Sequence, residues 1–257
     1  MKAAAVALNT IREALRERLM YNLAVFALVL IGGSLTISQL TLGEQYRIIA
    51  DIGTSSSQLF GTFIAVFLGV AMMAREVDRR TCYAALARPI SRAQFLVGKY
   101  LGLAAVLALN VAAMAAATAA MLLVYRGPGG IPAGPFLGAF SLIFVHLCLC
   151  AAFAFLFASF STPTLSVIFT LSVIGAGHVF SEVRPFWLTT PNVGLKSLVR
   201  VLDFTLPNMG LVDMKEALTY GDAVTAGSFA LRLGYGLTWT GLALVGAAVI
   251  FSRKDVR

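Results

Sequence analysis

Charge is scarce in this sequence. Only 12% of its 257 residues are Asp, Glu, Lys or Arg, while 59% are hydrophobic, and the mean hydropathy is +0.85. A soluble domain of this size carries about a quarter charged residues. The polar surface is too small to cover a water-facing globule, so the solvent for most of the chain must be lipid. Cysteine is scarcer still. The three present are Cys82, Cys148 and Cys150, which show no CxxC metal spacing and supply no extracellular disulfide framework. Also missing are a Walker A sequence, a GxGxxG ahead of a helix, HExxH and GxSxG. Any ATP the protein uses must therefore be bound by another chain.

What is there is a series of runs without formal charge: Leu19–Gly43, Ile52–Ala74, Tyr100–Tyr125, Gly127–Ser181 and Leu233–Ser252. A spanning helix needs about 20 apolar residues, and a charge at its centre costs about 2.5–3.5 kcal/mol. Four runs fit one span each. The run of 55 residues from Gly127 holds two, separated at Ser161-Thr162-Pro163. Pro163 cannot continue a helical ladder, and it biases Thr162 away from helical geometry. The predicted fold is all-α and polytopic, a single transmembrane domain over residues 1–257 with six spans: Tyr21–Leu40, Ser57–Ala74, Lys99–Tyr125, Phe136–Ser159, Leu165–Glu182 and Phe229–Ser252. The run Leu19–Gly33 is not read as a cleaved signal peptide. Its apolar character continues past Gly33-Ser34, and an amphipathic segment precedes it.

Lys and Arg set the orientation. With both termini cytoplasmic, the inner segments hold thirteen of the twenty basic residues and five of the twelve acidic ones. The pI of 9.8 then reports topology and contact with anionic lipid rather than nucleic-acid binding. Within residues 1–20, Leu8, Ile11, Leu15 and Leu19 recur at helical spacing, with Arg12, Glu13, Arg16 and Glu17 elsewhere on the wheel. That pattern predicts a helix lying in the interface. A basic flank that only sets orientation fits the segment as well. Residues 183–228 form an outer segment, where Leu195, Leu198, Val199 and Leu202 repeat at i, i+3, i+4 and i+7. A second amphipathic piece is predicted around Leu211–Leu218. These read as interfacial or re-entrant helices capping the outer end, with Trp187 and Phe186 at headgroup level. Gly98 with Gly102, and Gly234, Gly236, Gly241 and Gly246, allow close helix approach. Nothing matching Arg75–Lys99 recurs in the second half of the chain, which argues against an inverted-repeat carrier.

Few side chains offer chemistry at depth. His146 and Cys150 share a helical face while Cys148 points roughly opposite, and two soft ligands do not make a tetrahedral site. The packing reading is favoured there, so no metal site is assigned. His178, Glu182 and Arg184 cluster at the outer end of the fifth span, as interfacial anchors or a possible outer gate. Arg232 sits similarly near the start of the sixth. No Asp, Glu, Lys or Arg falls at the predicted membrane centre, which disfavours intrinsic proton or sodium coupling.

The cytoplasmic stretch 75–98 has the pattern helix, proline break, helix. Pro89 ends the first piece and Ser91 is a credible N-cap for the second. Its residues Glu76, Arg79-Arg80-Thr81, Leu86-Ala87-Arg88-Pro89-Ile90-Ser91-Arg92 and Phe95-Leu96-Val97-Gly98-Lys99 resemble the signature of type-2 ABC transporter permeases. The layout resembles that family over the whole chain: interfacial helix, six spans, long outer segment, and short basic tail at Arg253-Lys254-Asp255. The chain departs from the pattern at Arg80, a position often glycine in the family. The Arg-Arg-Thr form resembles the branch of copper-site maturation and gliding-type systems.

The resemblance implies a permease subunit that forms the substrate pathway as a homo- or heterodimer, with export the expected direction. ATP and Mg would bind a separate ABC ATPase, and this chain would carry no cofactor and no catalytic residue. The ATPase-coupling residues would be Glu76, Arg79, Arg80, Tyr83, Leu86, Arg88, Pro89, Ile90 and Arg92. Tyr83, Leu86 and Ile90 would enter a groove on the ATPase, and the arginines would ring it. The expected location is the inner membrane of a prokaryote, in contact with lipid and not with nucleic acid. Two alternatives stay open: a non-transporting scaffold or assembly factor, and an intramembrane metal-dependent enzyme. Substrate identity is open too, from lipid or lipid-linked sugar to peptide, drug or a sulfur species.

Overall fold

The computed structural model describes residues 45–78, 92–126, 131–189, 193–220 and 225–253, together with Leu28, Gly32 and Gly33. The predicted interfacial helix, the first predicted span and most of the coupling loop lie outside the described residues. Those described are helical, with no strand among them. Five helices are long and apolar enough to cross a membrane: α1 (Gln45–Asp78), α2 (Arg92–Arg126), α3 (Ala133–Ala158), α4 (Pro163–Thr189) and α7 (Ala226–Arg253). Between α4 and α7 come α5 (Val193–Thr205), a 3₁₀ turn (Met209–Val212) and the short α6 (Lys215–Tyr220).

In lipid, every backbone group must find its partner within the chain, and a helix does this segment by segment. The hydroxyls of α1 obey the same demand. Thr54, Ser57 and Thr62 donate to the carbonyls of Ala50, Gly53 and Gln58, each one turn back, at 2.8, 2.6 and 2.7 Å. Three predicted boundaries need correction for a common reason. The second predicted span starts at Ser57, but α1 begins at Gln45; the third starts at Lys99, but α2 begins at Arg92. Charged residues such as Arg47 limit how deep a helix sits in the bilayer without ending the helix. Lys99 is therefore an interior residue of α2, only 9% exposed, with its Nζ 5.8 Å from the centre of the Phe95 ring. Likewise the predicted outer segment begins at Val183, whereas α4 runs to Thr189 with Pro185 inside it. A proline so near a helix end interrupts only the final turns.

The break between the third and fourth described spans falls where the sequence put it. Ser159 caps α3, its N–H and its hydroxyl both reaching the Phe155 carbonyl, at 3.1 and 2.7 Å. Pro163 then opens α4 at the helical position that needs no N–H. The predicted piece Leu211–Leu218 is not one helix. Asp213 separates the 3₁₀ turn from α6 by accepting the Lys215 N–H at 3.0 Å.

Helix α3 is the axis of the fold, packed most extensively against α1 and α7. Leu142, Leu147, Leu149 and Phe155 are the largest of its fully enclosed side chains. Gly69 of α1 brings that backbone within van der Waals reach of Ala154, and Gly236 of α7 does the same against Val145. Gly234 and Gly241 face open space instead. At one end of the bundle Ile49, Leu122, Ala139 and Leu218 form a separate cluster, and Leu142, Val145 and Val212 form another. The segment 206–220 thus caps that end, which we call the capped end.

Candidate functional site

On α1, Ser55, Gln58, Leu59, Thr62 and Phe63 recur at i, i+3, i+4, i+7 and i+8 and so share one helical face. On α4, Leu171, Ile174, Gly175 and His178 do the same. These two faces are the walls of a cleft of about 330 Å³, with Lys215 of α6 also lining it. The cleft is not sealed: Leu59 is 53% exposed and Gly175 has no neighbour over it within 4 Å.

Its wall is mostly apolar, with a few polar side chains set into it. Gln58 is 5% exposed, yet neither its amide nitrogen nor its amide oxygen has a partner among the described residues. Buried amides are almost always paired, so an orphaned one marks a place where something else is expected. Behind it, fully enclosed at the middle of α3, stands His146. Its Nε2 lies 3.3 Å from the Thr62 hydroxyl and 3.5 Å from the Cys150 sulfur. Thr62 has already given its proton to the main-chain carbonyl of Gln58. Towards His146 it can only accept, which favours the tautomer with hydrogen on Nε2. Nδ1 then carries a lone pair and has no partner among the described residues. The rings of His146 and His178 approach to 5.4 Å between centroids, tilted at 50°.

The sequence-predicted residues distribute as follows. His146 and Cys150 do share a face, and they are joined there by Thr62 and His178. Cys148 turns elsewhere, its carbonyl accepting the Tyr100 hydroxyl at 2.9 Å. Among the described residues, no three His, Cys, Asp or Glu side chains come together as metal ligands would. Of the outer trio, His178 borders the cleft, Glu182 is exposed, and Arg184 binds Asp203 of α5 at 2.8 Å. Arg232 of α7 donates to the carbonyls of Gly210 and Asp213, holding the cap on the bundle. Of the coupling residues, Glu76 lies in the last turn of α1 and Arg92 opens α2. Arg79, Arg80, Tyr83, Leu86, Arg88, Pro89 and Ile90 lie outside the described residues.

Gln58 and Thr62 were not singled out from the sequence. A signal existed: Ser55, Gln58 and Thr62 are polar positions at helical spacing within a run that is otherwise mostly apolar. Nothing in the sequence said which neighbour that face would meet.

A sequence model of the family described as ABC-2 family transporter protein matches residues 4–256, nearly the full length. No curated protein matches the chain.

Proposed function

The chain belongs to the ABC-2 family of transporter proteins, an integral membrane family, and from that premise we propose that it is the permease subunit of an ATP-driven exporter. It would work as a dimer, in the inner membrane of a prokaryote, with ATP and Mg bound by a separate ATPase. The observation that carries this reading is the cleft between α1 and α4, which places hydrogen-bonding groups within spanning helices and opens out of the bundle. A carrier needs such a surface, because a polar cargo must exchange water for protein partners as it enters the membrane. A second copy facing the cleft would close it into a pathway. Of the three residues proposed as an outer gate, His178 has a side chain at the cleft. The gate reading rests on it.

Coupling is assigned to residues 75–92. The helices that flank this loop, α1 and α2, pack along each other, with Met72, Met73, Leu96 and Tyr100 in one cluster. A push on the loop would be transmitted along α1 to the cleft wall as a rigid shift. Purification of the chain from its native membrane in mild detergent is expected to bring down a stoichiometric soluble protein with a Walker A sequence. Leu86→Asp with Arg88→Asp is expected to abolish that recovery without loss of membrane insertion. Recovery of a clean homo-oligomer by the unaltered protein, with no ATPase, would favour a non-transporting scaffold.

A further inference from the structure

The cleft has a chemistry that narrows what it takes. Gln58 offers two N–H donors and one carbonyl acceptor, all unpartnered and 95% or more shielded from water. The cation at the lining, Lys215, is already neutralised by Asp213, with Nζ and Oδ2 3.0 Å apart. Among the described residues that line the cleft, an ionic ligand would therefore meet no spare counter-charge, and desolvating an unpaired ion is far costlier than desolvating a hydroxyl or amide. Leu59, Phe63, Leu171 and Ile174 supply the remaining wall, and exposed apolar side chains continue beside it, Leu59 on α1 and Ile168 and Phe169 on α4. The volume of 330 Å³ equals that of about eleven water molecules, enough for a small head group but not for a whole lipid.

We propose that this cleft binds the neutral, hydroxyl-rich head of an amphiphile, with Gln58 as the central hydrogen-bonding residue and the apolar tail lying outside along α1 and α4. The inference deepens the permease reading, and its meaning as a cargo site rests on that reading. The binding itself does not. Charged heads are disfavoured for want of a partner among the described lining residues, and wholly apolar ligands would leave the Gln58 amide unpaired.

The test uses the purified full chain in nanodiscs, without ATP or partner proteins. Three dodecyl probes carry the same diazirine in the tail and differ in the head: glucoside, trimethylammonium and sulfate. The glucoside is expected to label peptides from α1 and α4 most strongly. Gln58→Leu should reduce that labelling about fivefold, the effect of losing about 1 kcal/mol of hydrogen bonding. Thr238→Val, on an exposed face of α7, should leave it unchanged. Gln58→Glu should move the preference towards trimethylammonium, and it decides the matter if Gln58→Leu does not accumulate folded. Equal labelling by all three heads, or glucoside labelling indifferent to both Gln58 variants, overturns the proposal. Because no ATPase is present, that failure would leave the permease reading to be judged by the purification above.

Discussion

Gln58 is buried without a partner, whereas most buried polar groups would lose one if removed. Truncating a paired group strands its neighbour, but replacing an unpaired amide by an apolar side chain of similar size strands nothing. Gln58→Leu is therefore expected to hold or raise the free energy of unfolding, by up to about 1 kcal/mol in a denaturant titration of the purified protein. A fall of that size would mean that the amide has a structural partner. Glycines make the same argument in space. A Cβ added at Gly236 would meet Val145 of α3, while one at Gly241 would meet nothing within 4 Å. Gly236→Val should cost about 1–3 kcal/mol through overpacking. Gly241→Ala should stabilise by about 0.5–1 kcal/mol through helix propensity alone.

Among elements, the cap over the bundle end shows which ties matter. The Arg184–Asp203 pair joins α4 to α5 with side chains 37% and 31% exposed, so water screens it. A double-mutant cycle should give a coupling below about 1 kcal/mol that shrinks with salt. The Arg232 contacts are of another kind: one guanidinium satisfies carbonyls of a segment that has little regular hydrogen bonding of its own. The hydroxyl of Tyr235 adds a further tie by accepting the Asn208 N–H at 2.7 Å. Gly177 of α4 leaves room for the same segment, since a Cβ there would lie 2.5 Å from the Pro207 carbonyl oxygen. Arg232→Met and Gly177→Val should each make residues 206–220 more sensitive to added protease than Arg184→Met does. Equal sensitivity across the three variants would show that the cap is held by its apolar contacts instead.

For the whole molecule, the number of crossings is a matter of parity. Among the described residues between 45 and 253, five helices are long and apolar enough to cross; if each crosses once, those two positions face opposite sides of the membrane. Both termini can share a side only if the chain crosses once more within residues 1–44, as the run Leu19–Gly43 predicts. Cysteines introduced at Lys2 and at Arg257, probed with a membrane-impermeant maleimide, are expected to be protected together in sealed right-side-out vesicles. Protection of one alone would leave five crossings and require a different role for the N-terminal segment.

Hydropathy and charge along the chain determined that this is a helical membrane protein, because the solvent acts on each segment independently of its neighbours. The Ser161-Thr162-Pro163 break was legible for a similar reason: proline acts on its own backbone. The ends of α1 and α2 were less so, since charge reports depth in the bilayer rather than where a ladder stops. The spacing of Leu195, Leu198, Val199 and Leu202 foretold α5, whereas the division at Asp213 depended on one side chain turning back to the Lys215 N–H. The cleft was a tertiary decision. His146 and Cys150 could be placed on one face by counting, but Gln58, Thr62 and His178 come from other helices. Which faces meet depends on how Gly69 and Gly236 let α1 and α7 close on α3. That is a property of packed surfaces, with side chains from distant parts of the chain filling one another's spaces, and no local pattern contains it.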